Sequence, residues 1–362
     1  SRRFRVMSDL KINNITDSTG NSGPTIAGVS TVSTTGAFVV PVGATEFRGG
    51  RGRGVMAGGS TPTNLNTMEY ITIATTGNGT DFGDIRAQRA APSVCSSSTR
   101  AIVAGGYHST YHNNIDYVTI SSGGGASTFG ELVSPTGYGG ACASSTRGII
   151  AGGWNARGTN AGATSDKPYN NNIIEFVTLA STGNATYFGD LVQYRQTDGG
   201  LSSPTRGIFA GGATYGSPGS YPGYKDSQVI DYVTIASTGN AIQFGNLVHT
   251  IGWGSGKCSN STRGLFASGF DNDPATYQTK ISYITIATLG DTTEFGDTTV
   301  ARSYIAGMAS PTRAVFAGGG PGPKNVIDYV TIASTGNATD FGDMTAAKSQ
   351  VQGTSDVHGG LG

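Results

Sequence analysis

Charged residues recur at fixed places along the chain, and their spacing could support ion binding. Each of six arginines starts a short apolar run that ends in glycine, as in Arg100-Ala-Ile-Val-Ala-Gly-Gly106. The six are Arg53, Arg100, Arg147, Arg206, Arg263 and Arg313. A ring of six such cations could hold an anion.

Acidic residues recur in matching numbers, which favours a structural role for the arginines. The acids are Glu69, Asp116, Glu175, Asp231 and Asp328, with Ser282 in the sixth place. A repeated arginine beside a repeated acid predicts a structural pair or a backbone clamp. A second set of acids, at 84, 131, 190, 297 and 343, could serve the same purpose.

Thiols and imidazoles give little sign of metal or nucleophile chemistry. Cys95, Cys142 and Cys258 each lie five residues before a repeat arginine, and Leu201 and Met308 fill the same place elsewhere. A position shared by Cys, Leu and Met predicts buried free thiols. The histidines at 108 and 112 would face one another only on a helix, and they lie in an Asn-containing loop. We therefore predict no metal site.

Enzyme motifs are missing from the sequence. No nucleophile elbow, phosphate loop or zinc spacing occurs, and neither do the Asp boxes of sialidase-type propellers. Paired carboxylates occur only as copies of the repeat, whereas acid–base catalysis needs two groups in different environments. We predict no catalytic residue and no cofactor.

An internal repeat places all of these residues. Ile230–Ala241 recurs almost unchanged at Ile327–Ala338, and looser copies begin at Met68, Ile115, Ile174 and Ile281. Each copy runs into Phe-Gly, and successive copies are 46 to 59 residues apart. A period in this range is typical of propellers and repeat arrays.

Each repeat predicts four strands, and the chain ends predict a closed ring. A small-residue inner strand precedes the Arg…Gly-Gly strand, which is followed by the Ile-Asp-Tyr-Val-Thr-Ile strand and the outer Phe-Gly-Asp strand. The first repeat lacks an inner strand, and an orphan inner strand follows the last repeat in Val351–Gly360. Joined together they complete a blade and leave no free sheet edge. The predicted fold is all-β, a six-bladed β-propeller over residues 51–362.

Composition narrows the class of protein. The chain has 58 Gly in 362 residues without a Gly-X-Y period, which excludes collagen. Its 23 basic and 23 acidic residues balance, so there is no bulk attraction to nucleic acid. No run of eighteen apolar residues is present and no signal peptide is visible, so we predict no membrane insertion.

Loops that follow the double glycine differ most between repeats and carry aromatic residues. Such insertions gather on one face of a repeat protein, often the binding face, and Tyr and Trp offer rigid contact area for sugars or proteins. Self-packing of these loops is the alternative. The candidate binding residues are Tyr107, Tyr111, Trp154, Tyr169, Tyr215, Tyr221, Tyr224 and Tyr277.

The double glycine, the aromatic residues of the later strands and the repeat length resemble kelch-type β-propellers, although the kelch tryptophan is missing. The phrase Asp-Tyr-Val-Thr-Ile-Ala-Ser-Thr-Gly-Asn-Ala-Thr-Asp-Phe-Gly-Asp at 328–343 and the start Lys11–Pro24 resemble virion structural proteins of marine tailed phages. This resemblance implies a non-catalytic tail or fibre-associated component, made in the host cytoplasm and carried on the extracellular particle. A lectin-like carbohydrate-binding propeller is the alternative, and a polysaccharide-degrading enzyme is a third reading.

Residues 1–50 do not repeat and are predicted to form an extended arm. Thr25–Val42 is strand-prone but too short for a core of its own. We expect it to dock on another virion protein by strand addition, within an oligomeric assembly. Packing on its own propeller is the alternative. Arg48–Gly54 is rich in Arg and Gly, but it leads directly into the first strand, so we predict no nucleic-acid binding there.

Overall fold

The computed structural model describes residues 52–155, 171–215 and 224–361, with the backbone alone at positions 215 and 224. These residues form six four-stranded antiparallel sheets and three two-stranded hairpins. The six sheets are the blades of a β-propeller, as the sequence predicted. The predicted arm at 1–50 lies outside the described residues.

The strands of each blade are named inner, second, third and outer, counted from the propeller axis. In this order, blade 1 has Gln352–Ser355, Arg53–Ala57, Thr67–Thr72 and Thr80–Asp84; blade 2 has Ser93–Ser96, Arg100–Ala104, Asn114–Thr119 and Ser127–Glu131; blade 3 has Gly140–Ala143, Arg147–Ala151, Ile173–Thr178 and Thr186–Asp190. Blade 4 has Leu201–Ser202, Arg206–Ala210, Val229–Thr234 and Ile242–Asn246; blade 5 has Gly256–Ser259, Arg263–Asn272, Ala275–Thr285 and Thr293–Asp297; blade 6 has Ala306–Ala309, Arg313–Ala317, Lys324–Thr331 and Thr339–Lys348.

Blade 1 is assembled from both ends of the described chain. Gln352–Ser355 pairs with Arg53–Ala57, and each inner strand contacts the next one around a closed ring. Beyond the strand, the Asp356 carboxylate accepts the Arg53 amide hydrogen at 2.8 Å, and the Asp356 amide donates to the Arg53 carbonyl at 3.1 Å. In blade 2 the continuous turn from Ser97 to Arg100 makes the same two bonds. The predicted closure is therefore confirmed, with Asp356 in the place of the turn serine.

The apolar core lies between blades rather than at the axis. Six clusters of buried side chains each join two adjacent blades, including the pair formed by blades 6 and 1. Apolar residues of the second and third strands supply most of these side chains, and the second strands are buried at four consecutive positions because both faces of each sheet are covered.

Outer strands are capped by the neighbouring blade. The glycine in each turn between a third and an outer strand donates to the carbonyl of the repeated Phe in the preceding blade, as Gly183 does to Phe129 at 2.9 Å. In five turns an Asn or Asp side chain also accepts a backbone N–H of that strand. Because unpaired edge groups invite aggregation, these bonds protect the rim.

The connections define two faces. The loop face carries the links from second to third strands and the linkers from outer to inner strands, and the turn face lies opposite. Three hairpins stand on the loop face: Ser60–Thr61 with Thr63–Asn64, Tyr107–His108 with Thr110–Tyr111, and Ala213–Tyr215 with Tyr224–Asp226. Helical structure in the described ranges comprises the 3₁₀ turn Gly359–Leu361, and no helix there has the length and apolar character to cross a bilayer.

Candidate functional site

The six repeat arginines are clamps between blades. Each guanidinium donates to a backbone carbonyl at the end of the third strand of the next blade, over 2.7–3.1 Å. Each also lies 4.4–4.9 Å above the centre of a Tyr or Phe ring in its own blade. The sequence left a structural pair and a backbone clamp open for these arginines; their contacts are those of a backbone clamp, and the described residues show no ion pair from them to the repeat acids.

The repeat acids pair instead with cations that sequence reasoning missed. These cations lie at the end of an outer strand or in the linker that follows it, and they reach the third strand of the next blade. The buried pairs are Arg89–Asp116, Arg195–Asp231, Arg302–Asp328 and Lys348–Glu69. Their signal in the sequence was a basic residue seven positions after the repeated Phe, which recurs in four of the six repeats.

Two blade interfaces break this pattern. At the interface of blades 4 and 5 both places are neutral, since Ile251 replaces the cation and Ser282 the acid. At the interface of blades 2 and 3, Thr136 replaces the cation but Glu175 is retained. The Glu175 carboxylate accepts the Val133 amide hydrogen at 2.8 Å, and burial raises its pKa from 4.5 to about 7.

The inner strands surround a narrow axial cavity of about 30 Å³, enough for a single water. Cys95, Cys142 and Cys258 line it as free, buried thiols, as predicted. Burial raises the pKa of each thiol, so all three are protonated at neutral pH and poor nucleophiles. At the turn face His358 approaches the cavity, with Nε2 2.7 Å from the Ser96 carbonyl oxygen.

A hydrogen-bonded ring lies at the loop-face ends of the inner strands. Six residues just before the inner strands have φ between 39° and 65°: Ala91, Tyr138, Asp198, Gly254, Tyr304 and Gln350. The amide of each donates to its neighbour around the axis, over 2.6–3.3 Å. Five of these acceptors are backbone carbonyls, and the sixth is Asp198 Oδ2, which receives the Gly254 amide hydrogen at 3.2 Å.

Lys257 supports this ring from below. Its ammonium group donates to the carbonyls of Thr197 and Asp198 in the linker that enters blade 4. Burial lowers the pKa of Lys257 and raises that of Asp198, and the charge of each opposes the shift of the other. The positive charge of Lys257 and the negative charge of Asp198 therefore offset each other beside the hydrogen-bonded ring.

Four aromatic side chains contact one another at the loop face, and we call them the axial quartet: Tyr138, Trp154, Trp253 and Tyr304. Successive ring centroids lie 6.1, 6.1, 6.3 and 6.1 Å apart and return to the first ring. Three of the four contacts are edge-to-face, with planes at 68–71°, and the Tyr138–Trp154 pair is tilted at 59°. All four side chains are half-buried. The Gln350 amide donates to the Tyr138 hydroxyl at 3.1 Å.

The predicted aromatic residues are only partly brought together. Trp154 belongs to the axial quartet, and Tyr107 stacks with Tyr111 at 5.2 Å on the adjoining hairpin. Tyr277 packs on Phe270 at 4.8 Å, in a hairpin whose Phe270 backbone pairs with Trp253. Tyr215 and Tyr224 are opposed across the blade 4 hairpin, with their side chains outside the described set. Tyr169 and Tyr221 lie outside the described residues altogether.

Sequence reasoning missed Tyr138, Trp253 and Tyr304. It examined the loops after the double glycine, whereas these residues lie in the linkers before the inner strands. The available signal was the departure of these linkers from the repeat, since Ala91 and Gln350 occupy the places of Tyr138 and Tyr304.

Histidines 108 and 112 lie on and just after a short hairpin. No group of three potential metal-ligating side chains occurs among the described residues.

Comparison with known proteins adds no assignment. A scan against protein-family models and a search of curated proteins both found no match for this chain.

Proposed function

We propose that this chain is a non-catalytic structural protein of a phage particle, exposed on the tail or a fibre, with the loop face as its contact surface. The phage assignment depends on the sequence resemblance. The observation that carries the contact role is the axial quartet, in which Tyr138, Trp253 and Tyr304 stand where other repeats have small or polar residues.

The absence of catalysis in this proposal is supported by how the ionisable groups are used. Repeat acids are held in buried ion pairs or by backbone amides, and the repeat arginines clamp carbonyls. The thiols are protonated and buried. These ionisable groups all have structural partners. The exposed positions at which the repeats differ are therefore the ones that remain for recognition.

Assembly through the arm is tested by comparing the full chain with a variant that lacks residues 1–42. We expect the full chain to sediment as an oligomer and the truncated chain as a folded monomer. A monomeric full chain at high concentration would remove the assembly role of the arm.

A free lectin-like module is the second candidate, and the half-buried aromatic surface favours it. Hydrolysis of host polysaccharide by the purified chain would overturn both proposals.

A further inference from the structure

The chain continues past the closing strand of blade 1 and crosses the turn-face ends of the inner strands, and we call residues 357–361 the axial cap. Its 3₁₀ turn contacts the inner strands of blades 3, 4 and 5. A Cβ atom on Gly359 would overlap the Asn260 carbonyl oxygen. A Cβ atom on Gly360 would overlap the Ala143 carbonyl oxygen. Glycine at both positions therefore lets the backbone of the cap lie directly on the strand ends.

His358 joins the cap to blade 2 and fixes its turn. Its Nε2 atom lies 2.7 Å from the Ser96 carbonyl oxygen, and its Nδ1 atom accepts the Gly360 amide hydrogen at 3.1 Å. A carbonyl oxygen can only accept and an amide N–H can only donate, so the imidazole carries its hydrogen on Nε2 and none on Nδ1. Both bonds therefore require neutral His358 in this one tautomer.

From these contacts we propose that the axial cap is released from the inner strands when His358 takes up a proton. The new hydrogen on Nδ1 would point at the Gly360 N–H, so two donors would face each other where a hydrogen bond had been. The imidazolium would also lose hydration in the docked position. Release of the cap gives both groups water as a partner. This inference concerns the turn face and does not depend on the contact role proposed for the loop face.

The charged groups around His358 offer its cation no compensation. Among the described residues that line the axial cavity none is acidic, Lys257 has the same sign as a protonated His358, and the three thiols there stay protonated. Asp356, on the same segment, accepts the Arg53 amide hydrogen at 2.8 Å. The strand ends of blades 2 to 5 lead into the repeat arginines, which are again cations. A proton on docked His358 would therefore be a buried charge without a paired acid.

The pH range of release follows from the histidine. Burial lowers the pKa of His358 from 6.5, and the bond to the Ser96 carbonyl opposes this shift. Above pH 6.5 the cap is fully stabilised in its docked position. As the pH falls below 6.5, the released form binds a proton that the docked form excludes, so the docked form loses stability. The ratio of released to docked cap should rise by up to about tenfold per pH unit, because one proton is involved.

Two measurements on the full chain test the proposal. The chain has four histidines, so ¹⁵N-histidine labelling gives few signals, which are assigned by substituting each histidine in turn. We expect the signals at pH 7.5 to place the hydrogen of His358 on Nε2. Amide hydrogen exchange, corrected for its intrinsic pH dependence, then measures the protection of residues 357–361 from pH 7.5 to pH 5. That protection should fall by up to about tenfold per unit below pH 6.5, while Arg313–Ala317 stays protected.

Three variants separate release of the cap from a general effect of acid. His358→Gln keeps an N–H for blade 2 but takes up no proton in this range, so the protection of its cap should not change with pH. His249→Gln is the matched control, because His249 lies 3.3 Å from Glu294, away from the cap, and its loss should leave the acid response in place. Gly360→Ala should lower the protection of the cap at every pH, since its Cβ atom has no room on blade 3.

Three outcomes would overturn the proposal: cap protection that is constant from pH 7.5 to pH 5, an equal acid response in His358→Gln, or a hydrogen on Nδ1 of docked His358. An equal response in His358→Gln would assign the effect to Asp198 or Lys257, whose pKa values are shifted to about 6 and about 7. If His358→Gln does not fold, the unaltered chain decides. Its His358 signals must then titrate over the pH range in which protection falls, and signals that stay constant there would contradict the proposal.

Discussion

At the residue scale, Glu175 is a repeat acid without the buried cation that its equivalents contact. In four other blades the equivalent carboxylate faces a buried cation, whereas Thr136 leaves Glu175 to backbone amides. Its pKa is raised from 4.5 to about 7, so the folded state holds a proton that the unfolded chain releases. Glu175 therefore does not destabilise the folded state below pH 4.5. Its cost in folding free energy grows as the pH rises from 4.5 to about 7.

We predict that Glu175→Gln stabilises the protein at neutral pH. The raised pKa corresponds to roughly 3 kcal/mol at full ionisation, since one unit is about 1.4 kcal/mol. Glutamine keeps an oxygen for the Val133 amide hydrogen. Denaturant unfolding at pH 4.5 and pH 8 should show a gain at pH 8 that shrinks at pH 4.5. Glu69→Gln is the control and should destabilise at pH 8, because it leaves the buried Lys348 unpaired.

A second residue-scale prediction concerns the clamps. Arg100→Met removes the bond to the Leu179 carbonyl and the contact over Tyr117, and should cost about 1–3 kcal/mol. Arg86→Met is the control, because Arg86 is 47% exposed and lies 3.7 Å from Asp116. Its loss should cost less than about 0.5 kcal/mol. Urea unfolding measures both, and equal costs would count against the clamp.

At the element scale, repetition determined what the sequence could reveal. Three features were predictable from the sequence: the strands of each blade, the closing strand at 352–355 and the buried thiols. A pattern that recurs in six repeats reflects the fold and not chance. The partner of each charged residue was not predictable. A clamp reaches the neighbouring blade, 67 residues along the chain for Arg53 and Ile120, so spacing within one repeat carries no sign of it. The axial quartet was missed for the related reason that it joins linkers from separate blades.

The neutral pair at the interface of blades 4 and 5 suggests a double substitution at the interface of blades 3 and 4. Arg195→Ile or Asp231→Ser alone leaves a buried charge unpaired at the interface of blades 3 and 4, and each should cost about 3–5 kcal/mol. Together they copy Ile251 and Ser282, so the double variant should recover most of that loss. A double-mutant cycle from unfolding free energies gives the coupling. If the losses in unfolding free energy are additive, the neutral pair is tolerated only in the surroundings of blades 4 and 5.

At the scale of the whole molecule, the ring has one joint without a peptide bond. That joint lies inside blade 1, between its inner strand Gln352–Ser355 and its second strand Arg53–Ala57. The inner-strand contacts and the interblade cores on both sides of blade 1 match those of the other blades. The bonds between Asp356 and Arg53 reproduce those of an intact turn. Six equivalent junctions imply that the position of the chain break matters little to the fold.

Circular permutation tests this equivalence. A chain of residues 99–356, a Ser-Thr linker and residues 53–98 closes the joint with the turn length found between Ser97 and Arg100 and opens the turn of blade 2 instead. The linear chain 53–356 is the matched control, since both lack the same terminal residues. We expect a single cooperative unfolding transition for each, with free energies within about 1 kcal/mol, because each ring has one break and the same short loops. A permuted chain that unfolds several kcal/mol earlier, or in two steps, would show that blade 1 owes its stability to where the chain begins and ends rather than to the repeated contacts.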